Sequence, residues 1–492
     1  MKRLKFVLIL LIFVFVSIGV SQVQWGPDVR LTNHTYGGAI TTGHGWCLAV
    51  DSTSKVHMTW GDSRDTSFAI YYKMGSDTTW SADTMISFFD PALSSLDPNL
   101  DIDSLGVLHV IWWFMNTDVA DLWYRQKNSF GWSSFIPVGR GIYPTGRADR
   151  AGNFHVVYVR PDSTLTNPRV CYQMRDRLSG WLPRETLTGD TIAIWSTCIA
   201  PDRSGRIHVV FLSNGSIFYR VKESGLWSPT FQLTNGGTAV HPQIVSDSLS
   251  NVHLIWSDTR DGGRAELYYK KKDVSGWLPD LRLTFTQGSS DSASLAVDDT
   301  QNVHVVWVDS TDGLARRQLV YMAKRDTQWT SPQQLTNAMR GRIRSPSLAV
   351  DREDRLHVVW SDSRDGAQWW NHDLFYKATL GLSSVEGESW KKVSGVGALE
   401  VFPNKPNPFS KITMLSFHAN QREEVRIKVF DIAGRLIRLI GPLFVGPGGH
   451  EAFWDGKDST GKEVRNGVYI CRWEYQSNSV VQHATRKITL IR

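Results

Sequence analysis

The sequence predicts an all-β protein: a seven-bladed β-propeller closed by its N-terminal strand, with a small β-sandwich behind it. Three observations predict this. Seven times an Asp is followed six residues later by His and nine residues later by a large aromatic. The triplets are Asp51/His57/Trp60, Asp103/His109/Trp112, Asp149/His155/Tyr158, Asp202/His208/Phe211, Asp247/His253/Trp256, Asp298/His304/Trp307 and Asp351/His357/Trp360, spaced 45 to 53 residues apart. That is the period of a propeller blade. Each repeat also divides into four short apolar runs separated by polar turns, the pattern of antiparallel strands. Finally, a Trp with a small residue seven positions on recurs as Trp25/Thr32, Trp80/Ser87, Trp132/Gly139, Trp181/Thr188, Trp227/Thr234, Trp277/Thr284 and Trp329/Thr336. The first of these precedes the first triplet, and none follows the last.

In chain order, residues 1–21 read as a secretory signal: Lys2, Arg3 and Lys5, an apolar run over 6–20, and small residues Gly19 and Ser21 before a cut at Gln22. The apolar run is short for a membrane span, and no later segment is apolar enough to be one. Removing it leaves 51 basic against 48 acidic residues, too even a balance to suggest nucleic acid. Cys47, Cys171, Cys198 and Cys471 fall at different repeat positions with no CxxC spacing, so buried thiols are expected, with neither a metal nor a cofactor.

Residues 22–380 make up the propeller. In the sixth repeat SLAVD (294–298), VHVVW (303–307), LVYMAK (319–324) and WTSPQQLT (329–336) are the four strands, rich in the β-branched and aromatic residues a pleated surface prefers. The last repeat runs into a linker after LFYK (374–377), so WGPDVRLT (25–32) is expected to supply its outer strand. Closure of this kind removes unpaired edges. A solenoid, the alternative, needs capping repeats, and none is visible.

The seven aligned histidines are read as scaffold. Equivalent positions on a ring stand too far apart to share one ion. The Asp caps a turn through backbone N–H groups, the His bonds that carboxylate or a backbone carbonyl, and the aromatic packs between blades.

Loops joining strands two and three share a face with those joining successive blades, and they are the longer, more varied set. On that face a charged turn recurs as GDSRD, SDTRDGG, VDSTDG and SDSRDG, contributing Asp62, Arg64, Asp258, Arg260, Asp309, Asp362 and Arg364. Two readings stay open: a carboxylate and guanidinium ring around a mouth suited to sugars or cations, or Asp-capped turns whose Arg pairs locally. Residues outside the repeat carry more functional weight: Trp46, Trp113, Trp195, Trp369 and Trp370, with Arg340, Arg342 and Arg344 in one inter-blade loop and Tyr36, His44 and His372 in others. Aromatic rings beside charged forks suit a carbohydrate or peptide.

KMGSDTTW (73–80), KKDVSGW (271–277) and KRDTQW (324–329) resemble worn copies of the Asp-box turn of the sialidase-type, or bacterial neuraminidase repeat, secreted propellers. The enzymes of that family have six blades, an arginine triad, a Tyr–Glu pair and an acid Asp, which do not map onto this chain residue by residue. The short loops also resemble seven-bladed lectins. Residues 381–398 form a Gly- and Ser-rich linker. Across 399–492, FPNKPNPFSKITMLSF, VRIKVFDIAGRLIRLI, WDGKDSTGKEVRNGVYICRW and TRKITLIR resemble the Ig-like sorting domain of type IX secretion substrates and flagellar hook-capping proteins. Alternation in VRIKVFDI and GVYICRWEY independently reads as sandwich strands. The resemblance implies export through the outer membrane, with the type IX machinery as partner and a secreted or cell-surface location.

The function expected from these readings is non-catalytic binding of a glycan or other extracellular polymer by a monomer. A sialidase-like glycoside hydrolase or polysaccharide lyase, and a purely structural surface protein, are the alternatives.

Overall fold

The computed structural model describes residues 23–33, 39–40, 47–64, 67–88, 90, 94–115, 120–161, 168–189, 194–236, 238–310, 317–325, 327–337, 342–365, 372–380, 400–401, 404, 406–419, 422–431, 435–446, 448–477 and 480–492. The signal and the linker read from the sequence lie outside them. The chain divides into two compact units, Met1–Ser384 and Val385–Arg492. Both are built of strands alone among the described residues, and no helix there is long and apolar enough to cross a membrane.

In the first unit the strands form seven antiparallel sheets, an arrangement of propeller type. The fifth is representative, with Ala239–Ser246, Val252–Asp258 and Glu266–Asp273 in order, followed by two short runs, Gly276–Trp277 and Leu281–Arg282, that both pair with the third strand. The outer strand is thus interrupted rather than continuous. Pro183, Pro229, Pro279 and Pro332 fall in such gaps, where a residue lacking an N–H cannot extend a ladder.

The small residue seven after the outer Trp has a specific task. Thr188, Thr234, Thr284 and Thr336 each accept, through Oγ1, the backbone N–H of the third strand at 2.9 Å. Thr32 does the same for Leu374, 342 residues away. The segment that contains it pairs Val29 with Tyr376 and Arg30 with Phe375, while Trp25 bridges Thr379. The earliest described residues therefore form the outer strand of the last sheet.

Aromatic packing links the sheets in order. Each outer Trp stands edge-on to a third-strand Tyr of the preceding sheet: Trp132 on Tyr72, Trp181 on Tyr124, Trp227 on Tyr172, Trp277 on Tyr219 and Trp329 on Tyr269. Trp25 on Tyr321 and Trp80 on Tyr376, at 5.3 and 4.9 Å, extend the series through the last sheet and back to the first. Such pairs are worth about 0.5–1.5 kcal/mol beyond the area they bury. The apolar clusters follow the same order, each shared by two successive sheets; one joins Trp60 and Tyr71 of the first to Leu374 and Tyr376 of the last. The innermost strands of all seven sheets line one channel of about 290 Å³.

Every His of the triplets sits in the same hydrogen-bonded chain. Its Nε2 lies 3.0–3.4 Å from the turn Asp, and its Nδ1 lies 2.7–2.8 Å from the hydroxyl of a third-strand Tyr. With a neutral ring, Nε2–H donates to the carboxylate and Nδ1 accepts from the Tyr. The Tyr half of the chain is not in the triplet pattern. It is the same Tyr on which the next sheet's Trp packs, so one residue ties the buried imidazole to the inter-sheet contact.

The second unit packs a three-stranded sheet (Glu400–Val401, Thr413–Ala419, Gly448–Trp454) and a four-stranded sheet (Leu436–Val445, Glu423–Asp431, Gly467–Ser477, Val480–Leu490) around Phe417, Ile427, Trp454 and Trp473. The four cysteines of the chain are buried and none is in a disulfide.

Candidate functional site

The charged turns occupy the ends of the second strands, and their carboxylates are turned inward. Asp62 accepts the Trp60 indole N–H (3.0 Å), the Arg64 backbone N–H (2.9 Å) and the Arg64 guanidinium (2.6 Å), while Arg64 also bonds Asp83, which pairs with Lys73. Asp258 and Arg260 repeat this with Trp256, Asp280 and Lys270. Asp362 and Arg364 repeat it with Trp360, Asp28 and Lys377. Asp28, from the N-terminal segment, takes the place that Asp83 and Asp280 hold elsewhere. Asp309 accepts from Ser290 and the Trp307 indole. All four carboxylates are buried. Such partly exposed chains of charge hold one strand end to the next hairpin, as the local-pairing reading of these turns has it.

A different set of residues gathers where the innermost strands begin. In six sheets the register slips there, at Leu96/Asn99, Ile142/Thr145, Ile194/Ser196, Val240/Gln243, Asp291/Ser294 and Arg344/Ser347. In five of them two residues face one recurring aromatic (Trp112, Tyr158, Trp256, Trp307 or Trp360). The first of the two has left-handed backbone: Asp97 (φ 50°), Tyr143 (52°), His241 (50°), Ser292 (53°) and Ser345 (48°). Bulges re-aim side chains and collect beside active sites, and non-glycine residues at positive φ mark imposed strain. Because these are the rim-side ends of channel-lining strands, the bulges form one rim, on the face of the two–three and inter-sheet loops.

The rim has three chemical sectors. In the second and third sheets the Trp113 indole donates to Asp97 Oδ2 at 2.7 Å, and Trp113 stands edge-on to Tyr143 at 5.8 Å. Burial, only partly offset by the indole bond, pushes the Asp97 carboxyl up; burial and the Asp97 charge push Tyr143 up. In the fifth and sixth sheets His241 Nδ1 lies 2.9 Å from Asp291 Oδ1, with side chains 33% and 37% exposed. The Asp291 hydrogen bond raises His241 above the ordinary imidazole range against the pull of burial. Burial works to raise Asp291, and the His241 bond and charge outweigh it, so that carboxyl ends below its usual range. In the last sector, burial and then the positive charges of Arg317 and Arg342 push Arg344 down.

Of the sequence candidates, Trp113, Arg342 and Arg344 are on this rim. Trp195 occupies the slipped position in the strand Ile194–Pro201, its side chain lying outside the described residues, as do Trp46, Trp369 and Trp370 altogether. Asp97, Tyr143, His241, Asp291 and Arg317 were not singled out by the sequence. A signal for them exists: Asp97-Pro98, Tyr143-Pro144, His241-Pro242 and Ser345-Pro346 all place an X-Pro five residues before a recurring Asp, and Pro inside a strand marks a bulge. Among the described residues no group of three His, Cys, Asp or Glu side chains is placed to hold a metal ion.

No family model and no curated protein matches this chain. Solved structures do. A polysaccharide lyase, PL25 ulvan lyase bound to -[GlcA(1-4)Rha3S]-, matches over 71% of this chain and 95% of its own at 10% identity and a TM-score of 0.52. The polysaccharide lyase Uly1 matches over 73% and 99% at 9% identity and 0.51. At identities this low, the structural likeness shows a shared propeller-type fold alone.

Proposed function

We propose that this chain is a seven-bladed propeller, closed by residues 25–32, whose bulged rim takes an anionic polysaccharide and cleaves it by elimination. The neighbours named above as polysaccharide lyases make the class plausible; the residues of the rim make the case. An eliminative cut beside a uronate needs a cation cluster on the carboxylate, a base for the proton α to it, and an acid for the departing oxygen. On consecutive sheets the rim offers the Arg317–Arg342–Arg344 cluster, suited to a carboxylate, and His241 held by Asp291, whose imidazole accepts and returns a proton near neutral pH. Tyr143, half-buried and set edge-on to the buried Trp113, is placed to stack on a neighbouring sugar.

The observation that carries this reading is an Asp-backed imidazole and a cationic cluster on successive sheets of one rim. It also favours elimination over hydrolysis. Glycosidases commonly flank the scissile bond with two carboxyl groups, whereas Asp62, Asp258 and Asp362 are buried in ion pairs, Asp97 is bonded to Trp113, and Asp291 to His241.

The test is incubation of the secreted chain with a panel of polyuronates and sulfated uronate polymers, followed by ultraviolet absorbance for unsaturated product. New absorbance that Arg344→Ala lowers at least about tenfold supports the proposal. New reducing ends without absorbance indicate a hydrolase, and binding without product returns the non-catalytic reading; either result overturns elimination. Residues 1–21 and 399–492 belong to the same proposal as export signal and type IX sorting domain, on the motifs given above. Deleting 399–492 then leaves the protein inside the cell envelope, and unchanged export refutes that role.

A further inference from the structure

The face opposite the rim carries the turns between strands one and two and between strands three and four. Register places them together: in the fifth sheet Ser246 pairs with Val252, Val252 with Lys272, and Lys272 with Trp277. On this face four consecutive three–four hairpins each bear, at or beside the tip, a large apolar side chain mostly in solvent: Phe130 (97%), Leu178 (85%), Leu226 (77%) and Val274 (104%). Leu105 and Leu249, on one–two turns of the second and fifth sheets, are also exposed. The first and sixth sheets have Thr78 and Thr327 at the corresponding tips.

Single exposed apolar residues are ordinary on a protein surface. These are set apart because they gather at the three–four hairpins of one face and one arc of adjacent sheets. Folding does not call for them. The turns are held by polar neighbours: Asn128 accepts the Phe130 N–H, Asp176 the Leu178 and Ser179 N–H groups, and Asp273 the Ser275 N–H.

Charge on this face is arranged with them. The recurring turn carboxylates Asp103, Asp202 and Asp247 are buried, each bonded to its imidazole and to turn N–H groups. Arg150, Arg177 and Arg203 are exposed on this face, Arg177 beside Leu178 and Arg150 and Arg203 on one–two turns. Glu223, Asp176, Asp273 and Asp299 are opposing acids there; Asp176 and Asp273 already accept turn N–H bonds, and Asp299 lies 3.6 Å from Arg203.

We infer that this arc docks on an anionic phospholipid bilayer, the apolar tips entering the headgroup boundary and the arginines meeting phosphate. Isolated tips standing apart from one another fit a soft, continuous surface better than a protein partner, which would need a separate pocket for each. Apolar side chains amid basic ones are the signature of interfacial membrane binding. Docking this way turns the bulged rim outward, away from the lipid.

The experiment is co-sedimentation of the secreted full chain with vesicles of phosphatidylcholine alone and of phosphatidylcholine mixed with phosphatidylglycerol. Binding is expected on the anionic vesicles, weakened by salt. It should fall at least about tenfold when Phe130, Leu178, Leu226 and Val274 are all changed to Ser. Those positions are exposed, so the quadruple variant should melt with the parent chain. Equal sedimentation of parent and variant, or no sedimentation with either vesicle, overturns the inference. So does a concentration-dependent dimer that the four substitutions abolish.

Discussion

Replacing Thr32 with Val tests the closure of the first unit through a single hydroxyl. Thr32 is buried; its Oγ1 accepts the Leu374 N–H at 2.9 Å and donates to Asp373 Oδ1 at 3.0 Å. Valine keeps the shape and removes both bonds. The Leu374 N–H is then left unpaired in the interior, which costs about 1–3 kcal/mol, while Asp373 keeps its 2.5 Å bond from Arg30 and loses only a fraction of its solvation. A destabilisation of about 2–3 kcal/mol follows. Thr336 is the internal control: its Oγ1 accepts the Leu319 N–H at 2.9 Å and donates to Gln318 at 2.9 Å, entirely within the sixth sheet. Urea unfolding of Thr32→Val and Thr336→Val should therefore give losses of similar size. If Thr32→Val falls within about 0.5 kcal/mol of the parent while Thr336→Val is destabilised, residues 25–32 do not complete the last sheet, and the closed ring is wrong.

Other expectations follow from the same structure. Trp256→Ala empties a fully buried site in the cluster shared by the fourth and fifth sheets and should cost about 3–5 kcal/mol in urea unfolding. Burial holds His57, His208 and His253 below the ordinary imidazole pKa, so the unfolded chain takes up protons that the folded chain refuses. Stability is complete above about pH 6.5 and declines as pH falls. Asp51, Asp149 and Asp247 extend that decline: burial opposes ionisation, but their accepted hydrogen bonds hold them at about 2, so their contribution is present above about pH 4 and is lost toward pH 2. Urea midpoints measured across that span should fall monotonically with acid, and a flat profile refutes the buried imidazole chain. His241→Gln should lower turnover about a hundredfold, and the parent's activity should climb with pH through a value above the ordinary imidazole pKa, because the base acts in its neutral form.

Much of the scaffold is legible in the sequence because it repeats. The Asp-to-His spacing places a turn carboxylate within reach of the first residues of the next strand, and seven copies turn a weak pattern into a period. Counting the outer Trp markers even indicates where the chain's beginning must go. The Tyr that completes each imidazole chain was harder to see. It lies 11 to 19 residues after its His, across a loop of variable length, so no fixed spacing announces it. For Asp62, Asp258 and Asp362 the sequence left two readings open, since a charged turn looks the same whether its carboxylate faces a mouth or a Trp indole.

The rim illustrates what a linear pattern cannot carry. Asp97, Tyr143, His241 and Asp291 share no sequence motif; they have in common a slipped register at the start of an inner strand, and Arg317 lies just before the third strand of the sixth sheet. The sequence by itself determined the strands, their period and the partners inside each blade, because hydrogen bonds and apolar alternation act between near neighbours in the chain. Only the tertiary structure decided which irregular residues meet, because the register of pairing and the order of the sheets bring together side chains 16 to 50 residues apart.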